Sequence, residues 1–134
     1  MMFKDKICVV TGGANGIGRC IAQAFLDAGA RVAVIDTDAE SGGKLAEQYD
    51  ELLFVQGSIA EKETLERFAE TVLSAFGKLD FLINNACITR KGLRSRCSYE
   101  DFGEVLRVGV TAPYYLTRLF EPHFTPGAAI VNIS

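Results

Sequence analysis

Short apolar runs alternate with longer amphipathic segments along almost the whole chain, and this alternation limits the fold more than any other feature. The runs are rich in β-branched residues and are apolar on both faces, which is typical of parallel strands covered by helices. Strands are predicted at 6–10, 31–35, 52–55, 79–83 and 128–133. The segments between them have helical period, so the chain is predicted to be an α/β protein built from βαβ units.

The periodic segments predict four helices, at 16–28, 39–49, 61–76 and 99–120. Gly29 and Gly77 follow the first and third helices, where glycine commonly ends a helix. The apolar stripe of the first helix is predicted at Ile17, Ile21, Ala24 and Phe25. Inside the fourth helix, a glycine costs about 1 kcal/mol relative to alanine and a proline lacks the N–H donor. We therefore expect a kink or irregularity between Gly109 and Pro113.

Composition favours one domain and excludes several classes of partner. The chain has 134 residues, of which 49% are hydrophobic, and it contains no linker or repeat, so residues 1–134 are predicted to form one domain. The net charge of -3 indicates neither a nucleic-acid nor a membrane partner. Charges near the start and the lack of a long apolar run predict a soluble cytoplasmic protein. Four cysteines without a Cys-x-x-Cys pair predict reduced thiols and no metal site.

A glycine-rich loop, TGGANGIG at 11–18, follows the first predicted strand and opens the first predicted helix. Glycine at positions 12 and 16 allows a tight turn and lets backbone N–H groups approach a pyrophosphate, whereas Gly18 allows close packing of the helix on the strand. The positive end of the helix dipole would then face the phosphates. The alternative is a glycine-rich turn that binds nothing.

Asp36 ends the second predicted strand about 20 residues beyond the loop, where a carboxylate can accept hydrogen bonds from the adenosine ribose. This second feature favours a dinucleotide site over an empty turn. A carboxylate at this position repels the 2′-phosphate of NADP, and no arginine follows in residues 37–39. Arg31 begins the same strand and is expected at the opposite end of the sheet. The sequence therefore predicts NAD as the cofactor.

Together these motifs resemble the short-chain dehydrogenase/reductase family, whose glycine motif Thr-Gly-x-x-x-Gly-x-Gly is matched by Thr11, Gly12, Gly16 and Gly18. The sequence Asn84-Asn85-Ala86 is similar to the family's Asn-Asn-Ala-Gly segment. The resemblance implies a Rossmann-type doubly wound parallel sheet with helices on both faces. It also implies that Asn85 and Ala86 lie beside the cofactor and steady the central strand. The candidate cofactor-binding residues are Gly12, Asn15, Gly16, Ile17, Gly18, Asp36, Ser58, Ile59, Asn85 and Ala86.

Three residues depart from the family pattern. Ser58 stands where the family usually has an aspartate that contacts adenine, and its hydroxyl can still accept a hydrogen bond. Cys87 replaces a glycine, and we interpret it as a small buried apolar residue rather than a reactive thiol. Gly109 replaces an asparagine that normally supports a proton-relay water, which puts full family catalysis in doubt.

The catalytic residues that the resemblance implies are absent from this sequence. Family members use a serine and a Tyr-x-x-x-Lys pair after the fifth strand, but none of the four tyrosines has a lysine four residues on. Ser134 aligns with the position just before the catalytic serine. We therefore predict no catalytic residue in this chain, a fold incomplete at its C-terminal end, a piece of a longer protein, and no turnover by the piece alone.

The predicted function is the cofactor-binding part of an NAD-dependent oxidoreductase acting on an alcohol or carbonyl substrate. A non-catalytic NAD-binding or sensing protein is the main alternative, and a methyltransferase is disfavoured by Asn84-Asn85-Ala86. Basic residues in 89–96 indicate either an acidic substrate or a solvated loop, and we favour the loop. A homodimer or homotetramer is predicted from excess apolar surface on the fourth helix, at Phe102, Val105, Leu106, Val110, Tyr114 and Leu116.

Overall fold

In a computed structural model of the chain, residues 1–88 and 97–134 are described, and they form a five-stranded parallel sheet with helices on both faces. The predicted fold class is confirmed. The basic loop interpreted above lies in 89–96, outside the described residues, so that interpretation stays a prediction. Within the described ranges, no helix is both long enough and apolar enough to cross a membrane.

The strand order is β3-β2-β1-β4-β5, so the chain runs outward from β1 to one side and then returns to the other side. This reversal between β1 and β4 makes the C-terminal edge of the sheet the expected place for a ligand crevice. The strands are β1 Ile7–Thr11, β2 Arg31–Asp36, β3 Leu52–Gln56, β4 Leu79–Asn84 and β5 Phe124–Asn132.

Four strands agree with their predicted bounds to within one residue, whereas β5 begins four residues earlier than predicted. Pro126 and Gly127 lie inside the additional segment and are not typical of a strand, because proline cannot donate to a sheet ladder and glycine weakens a strand. The sequence therefore does not indicate a strand there. The register shift between Leu79 and Phe81 accommodates this irregular start of β5.

The helices are α1 Gly16–Asp27, α2 Ala39–Gln48, α3 Lys62–Phe76, α4 Tyr99–Leu106 and α5 Ala112–Phe120. A 3₁₀ turn at Glu121–His123 connects α5 to β5. Gly29 and Gly77 have φ values of 94° and 75°, which confirms that left-handed glycines end α1 and α3.

The long helix predicted at 99–120 is divided by a π-helical segment, Arg107–Thr111. The N–H of Ala112 donates to the carbonyl of Arg107, five residues back, and Pro113 follows with no N–H to donate. The expected irregularity between Gly109 and Pro113 is thus confirmed. The side facing the sheet buries Val108, Ala112, Leu116 and Phe120. Leu116 therefore belongs to the core, and its assignment to the excess apolar surface is wrong.

Alternation along the strands divides the core into two layers. On one face, Val9 and Leu82 pack with residues of α3 and α5, including Phe68 and Phe120. On the other face, Val10, Val32 and Val34 pack against α1 and α2. This division follows from the two-residue period of a strand, because successive side chains point to opposite faces.

The predicted apolar stripe of α1 is correct in part. Ile21 and Phe25 pack against the core, but the buried residues of the helix are Gly18, Ala22 and Leu26. The helix approaches the sheet so closely that a Cβ atom at position 18 would overlap the carbonyl oxygen of Gly12. Small residues therefore lie on the line of contact. Ile17, which was placed in the stripe, is 65% exposed. For α3, burial of Leu65, Phe68, Ala69 and Val72 confirms the predicted face.

Candidate functional site

A cavity of about 550 Å³ lies at the C-terminal edge of the sheet, between the glycine-rich loop and the segments that follow β2, β3 and β4. All the candidate cofactor-binding residues except Gly16 and Gly18 line it. Those that do are Gly12, Asn15, Ile17, Asp36, Ser58, Ile59, Asn85 and Ala86. The structure therefore brings these residues together from four separate segments of the chain around one cavity.

The glycines of the loop are required for different physical reasons. Gly12 has a φ of 65°, and a Cβ atom there would lie 2.9 Å from the Cα of Ala86. Gly18 has no room for a side chain, because a Cβ atom would overlap both the Gly12 carbonyl and the Asn85 amide. Gly16 has a φ of 57°, but a Cβ atom would meet no atom of the described residues within 4 Å. Gly16 is thus needed for its backbone conformation rather than for space.

The N-terminus of α1 forms part of the cavity wall and differs from those of α2 and α4. Asp38 and Ser98 cap those two helices by accepting hydrogen bonds from backbone N–H groups. Asn15, at the start of α1, makes no such capping bond within the described part of the chain, and its amide donates to Asp38 instead. The first turn of α1 also contains no acidic residue. Its N–H groups are therefore suited to an anion such as a phosphate.

The Asn85–Ala86 segment holds the glycine-rich loop in place. Nδ2 of Asn85 donates to the carbonyl oxygens of Thr11 and Gly12, each at 3.1 Å. The backbone N–H groups of Asn85 and Ala86 both donate to the hydroxyl oxygen of Thr11, each at 3.0 Å. The structure thus shows how this segment steadies the central strand, β1, as the resemblance implied. Its contact with a cofactor stays a prediction.

Asp36 connects two loops of the cavity wall through its carboxylate. Oδ2 accepts a hydrogen bond from the N–H of Ala14 at 3.0 Å, and Oδ1 accepts one from the N–H of Asp38 at 3.0 Å. A carboxylate oxygen can accept about two hydrogen bonds, so each keeps acceptor capacity. Both oxygens are oriented by backbone N–H groups, and the role of Asp36 as an acceptor for ribose hydroxyl groups stays a prediction.

Ser58 and Ile59 lie on the side of the cavity formed by the loop after β3. The hydroxyl oxygen of Ser58 accepts a hydrogen bond from the N–H of Ala60 at 3.2 Å. The hydroxyl proton of Ser58 can be donated to a ligand, which a carboxylate at this position could not do. Ile59 is buried and contributes an apolar surface to the same wall.

The interpretation of Cys87 as a buried residue is wrong, because its side chain is exposed and lines the cavity. β4 ends at Asn84, so three residues later the chain has left the core and passes along the cavity. Cys8 is the cysteine that behaves as a core residue, and burial raises the pKa of its thiol far above the ordinary value. All four cysteines are free thiols in the described part of the chain.

The sequence did not indicate several further residues of the cavity wall. Gly57 lies beside Ser58, whereas Ile88, Glu104 and Val108 form the end of the cavity nearest to α4 and the π-helical segment. Glu104 and Val108 have no motif and are brought to the site by packing of a distant helix. The signal that could have found them is the expected irregularity near Gly109, because π-helical segments often occur at functional sites.

A parallel sheet with a glycine-rich loop at its switch point, an open helix N-terminus and a carboxylate at the end of the second strand defines a dinucleotide-binding α/β protein. Residues 6–134 match the family described as short chain dehydrogenase. The chain belongs to the short-chain dehydrogenase/reductase family, as the resemblance indicated, and this is a family of oxidoreductases.

Two relatives show how widely substrates vary around this fold. The chain is 34% identical to L-fucose dehydrogenase of Mus musculus, over 98% of this chain and 49% of the relative. It is 35% identical to 15-hydroxyprostaglandin dehydrogenase [NAD(+)] of Bos taurus, over 100% of this chain and 51% of the relative. The chain therefore spans about half the length of the curated relatives that it matches.

Solved structures agree with the fold, and one of them holds a nicotinamide cofactor. An apo SCOR enzyme from Clostridium thermocellum matches with a TM-score of 0.88 and 37% identity, over 96% of this chain and 53% of that one. A short chain dehydrogenase from Burkholderia cenocepacia, in complex with NADP, matches with a TM-score of 0.91 and 30% identity, over 98% of this chain and 56% of that one. The fold is thus one that binds nicotinamide cofactors.

Proposed function

We propose that the full-length protein is an NAD-dependent oxidoreductase for an alcohol or carbonyl substrate, and that this chain supplies its cofactor-binding part. The carboxylate of Asp36, oriented in the cavity wall by two backbone N–H groups, is the observation that carries the choice of NAD. We place the protein in the cytoplasm, a proposal supported by the free thiols of its described residues.

In this proposal each wall of the cavity has a separate task. The N–H groups at the start of α1 bind the pyrophosphate, and the glycines keep side chains away from it. Asp36 accepts hydrogen bonds from the ribose, while Ser58 and Ile59 contact the adenine. Asn85 and Ala86 line the part of the cavity that leads to its end near Glu104. The cofactor, when bound, supplies a nicotinamide ring that exchanges a hydride with the substrate.

Electrostatics favour NAD over NADP at this site. A 2′-phosphate would be placed beside the carboxylate of Asp36, and like charges at contact distance repel. Arg31, the basic residue of β2, lies at the other end of that strand, where it pairs with Glu51 at 3.0 Å and lies over the ring of Phe76 at 4.5 Å. Arg31 is therefore not placed to neutralise the phosphate.

The test is to measure dissociation constants of NADH and NADPH with the full-length protein by isothermal titration calorimetry. We expect tighter binding of NADH, and we expect Asp36→Ala to bring the two constants closer together. Asp50→Ala removes an exposed carboxylate near Arg31 and serves as the matched control, with no change in the ratio. Equal or tighter binding of NADPH by the unmodified protein would refute the assignment of NAD.

A non-catalytic NAD-binding or sensing protein is the second candidate, and Gly109 favours it because the family places an asparagine there. The two candidates differ in turnover. NADH absorbance followed with a panel of alcohols and ketones should show turnover by the full-length protein if it is an enzyme. Binding without turnover across the panel would favour the sensor. A polypeptide of residues 1–134 is expected to show none in either case, because general acid–base catalysis alone typically contributes about 10²–10⁴-fold.

We also propose that the protein assembles as a homodimer or homotetramer through α4 and α5. Five large apolar side chains form an exposed stripe along these helices, and they are Tyr99, Phe102, Leu106, Val110 and Tyr114. Contiguous apolar surface of this kind marks an interaction site. Light scattering of the full-length protein at micromolar concentration should give a multiple of the monomer mass. A monomer at that concentration would contradict the proposal.

A further inference from the structure

The wall of the cavity nearest to β3 is formed by three consecutive residues, Gly57, Ser58 and Ile59. β3 pairs with β2 on the side away from β1, and Gln56 of β3 is the register partner of Asp36. The N–H of Gly57 also donates to the backbone carbonyl of Asp36 at 3.0 Å. Ser58 is therefore one residue away from a direct hydrogen bond to the residue that is proposed to bind the ribose.

In the proposed binding mode, the base of the cofactor lies beyond the ribose, against this wall. The pyrophosphate is proposed at the start of α1, which follows β1, and the ribose at Asp36, which ends β2. A base joined to that ribose continues in the same direction, away from β1, and so reaches β3. Ile59 is buried and presents an apolar surface there, which suits the flat face of a base. Ser58 is the residue of this wall with a polar side chain.

The hydroxyl group of Ser58 keeps both a donor and an acceptor for a ligand. A serine hydroxyl has one proton that it can donate and two lone pairs that can accept. One lone pair accepts the N–H of Ala60 at 3.2 Å, a bond within the loop that fixes the position of the oxygen. The proton and the second lone pair are left for a ligand, and the proton can rotate about the C–O bond to suit it.

We propose that Ser58 makes the base subsite accept two classes of purine, those with an amino group at position 6 and those with an oxo group. The hydroxyl can accept a hydrogen bond from a 6-amino group, such as that of adenine, or donate one to a 6-oxo group, such as that of hypoxanthine. An ionised carboxylate could only accept. The inference rests on the proposed dinucleotide-binding function and names the class of base that the site takes.

The charged groups near this wall do not oppose a 6-oxo group. Nη2 of Arg67 donates to the backbone carbonyl of Gln56 at 3.1 Å, so a cation lies beside the start of the loop. The carboxylate of Glu61 accepts a hydrogen bond from the hydroxyl of Thr64 at 3.2 Å, at the start of α3. Neither Arg67 nor Glu61 is among the described residues that line the cavity. The polar side-chain group that a base would meet on this wall is therefore the uncharged hydroxyl of Ser58.

Substitutions can remove the donor of Ser58 without removing the bond that shapes the loop. Aspartate and serine side chains both make turns of this kind, so Ser58→Asp keeps an oxygen for the Ala60 N–H but has no proton to donate. Ser58→Ala removes the donor and the acceptor together. Ser74→Asp adds a carboxylate at an exposed position of α3 outside the cavity, and it is the matched control for the added charge.

The experiment measures dissociation constants of NADH and of reduced nicotinamide hypoxanthine dinucleotide, in which a 6-oxo group replaces the 6-amino group, by calorimetry with the full-length protein. We expect the two constants of the unmodified protein to agree within about threefold. Ser58→Asp should favour NADH by about tenfold or more, because a carboxylate accepts from the amino group and repels the oxo group. Ser58→Ala should weaken both ligands about threefold and leave their ratio unchanged. Ser74→Asp should not change the ratio.

Several outcomes would overturn the inference. A preference of the unmodified protein for NADH beyond about threefold would do so, and Glu104→Gln would then show whether another carboxylate of the cavity wall selects the amino group. An unchanged ratio in Ser58→Asp overturns it as well, and so does an equal change in Ser74→Asp. If Ser58→Asp binds neither ligand, Ser58→Ala decides, because unequal weakening of the two ligands overturns the inference and equal weakening supports it.

The same measurements separate this inference from the function on which it rests. An unmodified protein that prefers NADH to NADPH but rejects the 6-oxo analogue keeps the proposed NAD function and overturns the inference about Ser58. Failure of the unmodified protein to bind NADH refutes both.

Discussion

The two edges of the sheet use the same side chain in opposite ways. At the C-terminal edge, Asp36 lies in the cavity wall, and each of its oxygens accepts one backbone hydrogen bond. At the N-terminal edge, Asp80 is 2% exposed and accepts hydrogen bonds from the N–H of Ile7 at 2.8 Å and from the hydroxyl of Thr125 at 2.6 Å. The first carboxylate keeps acceptor capacity for a ligand, whereas the second is used to join β1, β4 and β5.

Two lysines beside Asp80 add to this difference between the two carboxylates. The ammonium groups of Lys6 and Lys78 lie 3.6 and 3.8 Å from its carboxylate oxygens. Burial alone would raise the pKa of Asp80. The hydrogen bonds from Thr125 and Ile7 and the charges of the two lysines together outweigh burial, so the pKa is lowered from its ordinary value of 3.8. A carboxylate whose acceptors are filled by the protein stabilises the fold, and one with remaining acceptors can bind a ligand.

The largest effect is expected from Asp80→Ala, compared with Asp36→Ala. Removing Asp80 leaves the buried N–H of Ile7 without its acceptor and breaks the link to Thr125, so the free energy of unfolding should fall by about 2–4 kcal/mol. The preference for NADH should not change. Asp36→Ala should have the reverse profile, with a smaller loss of stability and a large change in cofactor preference. Urea unfolding measures the loss of stability, and calorimetry measures the cofactor preference of each variant. A larger loss of stability in Asp36→Ala, with a change of cofactor preference in Asp80→Ala, would contradict the separate roles of the two carboxylates.

Much of the fold could be predicted because hydrophobic periodicity reports burial directly. Four strands and the glycine-terminated helices α1 and α3 fall where the pattern places them. The start of β5 could not be predicted, because Pro126 and Gly127 have low strand propensity. The sheet accommodates them through a register shift in the pairing of β4 with β5. The small buried residues of α1, Gly18 and Ala22, were missed for a related reason. Close approach of the helix selects small residues, and a hydrophobic stripe does not report small residues.

The candidate site could be predicted where a motif joins chemistry to spacing, as at Gly12, Asp36 and Asn85. It could not be predicted where tertiary packing alone brings residues together. Glu104 lines the cavity although its helix, α4, lies far along the chain from the glycine-rich loop, β2 and β3. The structural role of Asp80 was not predicted, because nothing near it in the sequence indicates which residues bond to it. Three of its partners are 45 or more residues away along the chain.

The next largest effect is expected from Gly18→Ala. The added Cβ atom would overlap the Gly12 carbonyl and the Asn85 amide, which are held by the hydrogen bonds of the glycine-rich loop. Overpacking of this kind costs about 1–3 kcal/mol. Because the loop must shift, NADH binding should weaken as well, unlike in Asp80→Ala. Urea unfolding and calorimetry measure the two effects, and unchanged NADH binding would show that the loop geometry is not part of the site.

A smaller effect is expected from pH, because the lowered pKa of Asp80 links protonation to folding. A carboxyl whose pKa is lower when folded stabilises the protein above the unfolded value and loses that contribution as pH falls through the folded value. The stability difference between the unmodified protein and Asp80→Asn should therefore be constant above about pH 5 and shrink below 3.8. Urea titrations between about pH 7 and about pH 2.5 test this. A difference that grew at low pH would contradict the lowered pKa.

The smallest effect, and the one stabilising change, is expected from Gly43→Ala in α2. Adjacent glycines of this helix meet different surroundings. A Cβ atom at Gly43 would contact no atom of residues 1–88 and 97–134 within 4 Å, whereas one at Gly42 would overlap the ring of Phe54. Alanine loses less conformational entropy than glycine in a helix, so Gly43→Ala should raise the free energy of unfolding by about 0.5–1 kcal/mol. Gly42→Ala is the matched variant and should lower it, because Phe54 would have to move.

Neither glycine touches the cavity, so the NADH constant should be unchanged in Gly43→Ala. That variant therefore separates stability from cofactor binding in the direction opposite to Asp80→Ala. If the change in stability at α2 also altered the preference between NADH and NADPH, cofactor binding at the C-terminal edge of the sheet would depend on the stability of the rest of the protein. Urea unfolding of both variants, with calorimetry on the stabilised one, decides this. A loss of stability in Gly43→Ala equal to that in Gly42→Ala would contradict the open surroundings of position 43.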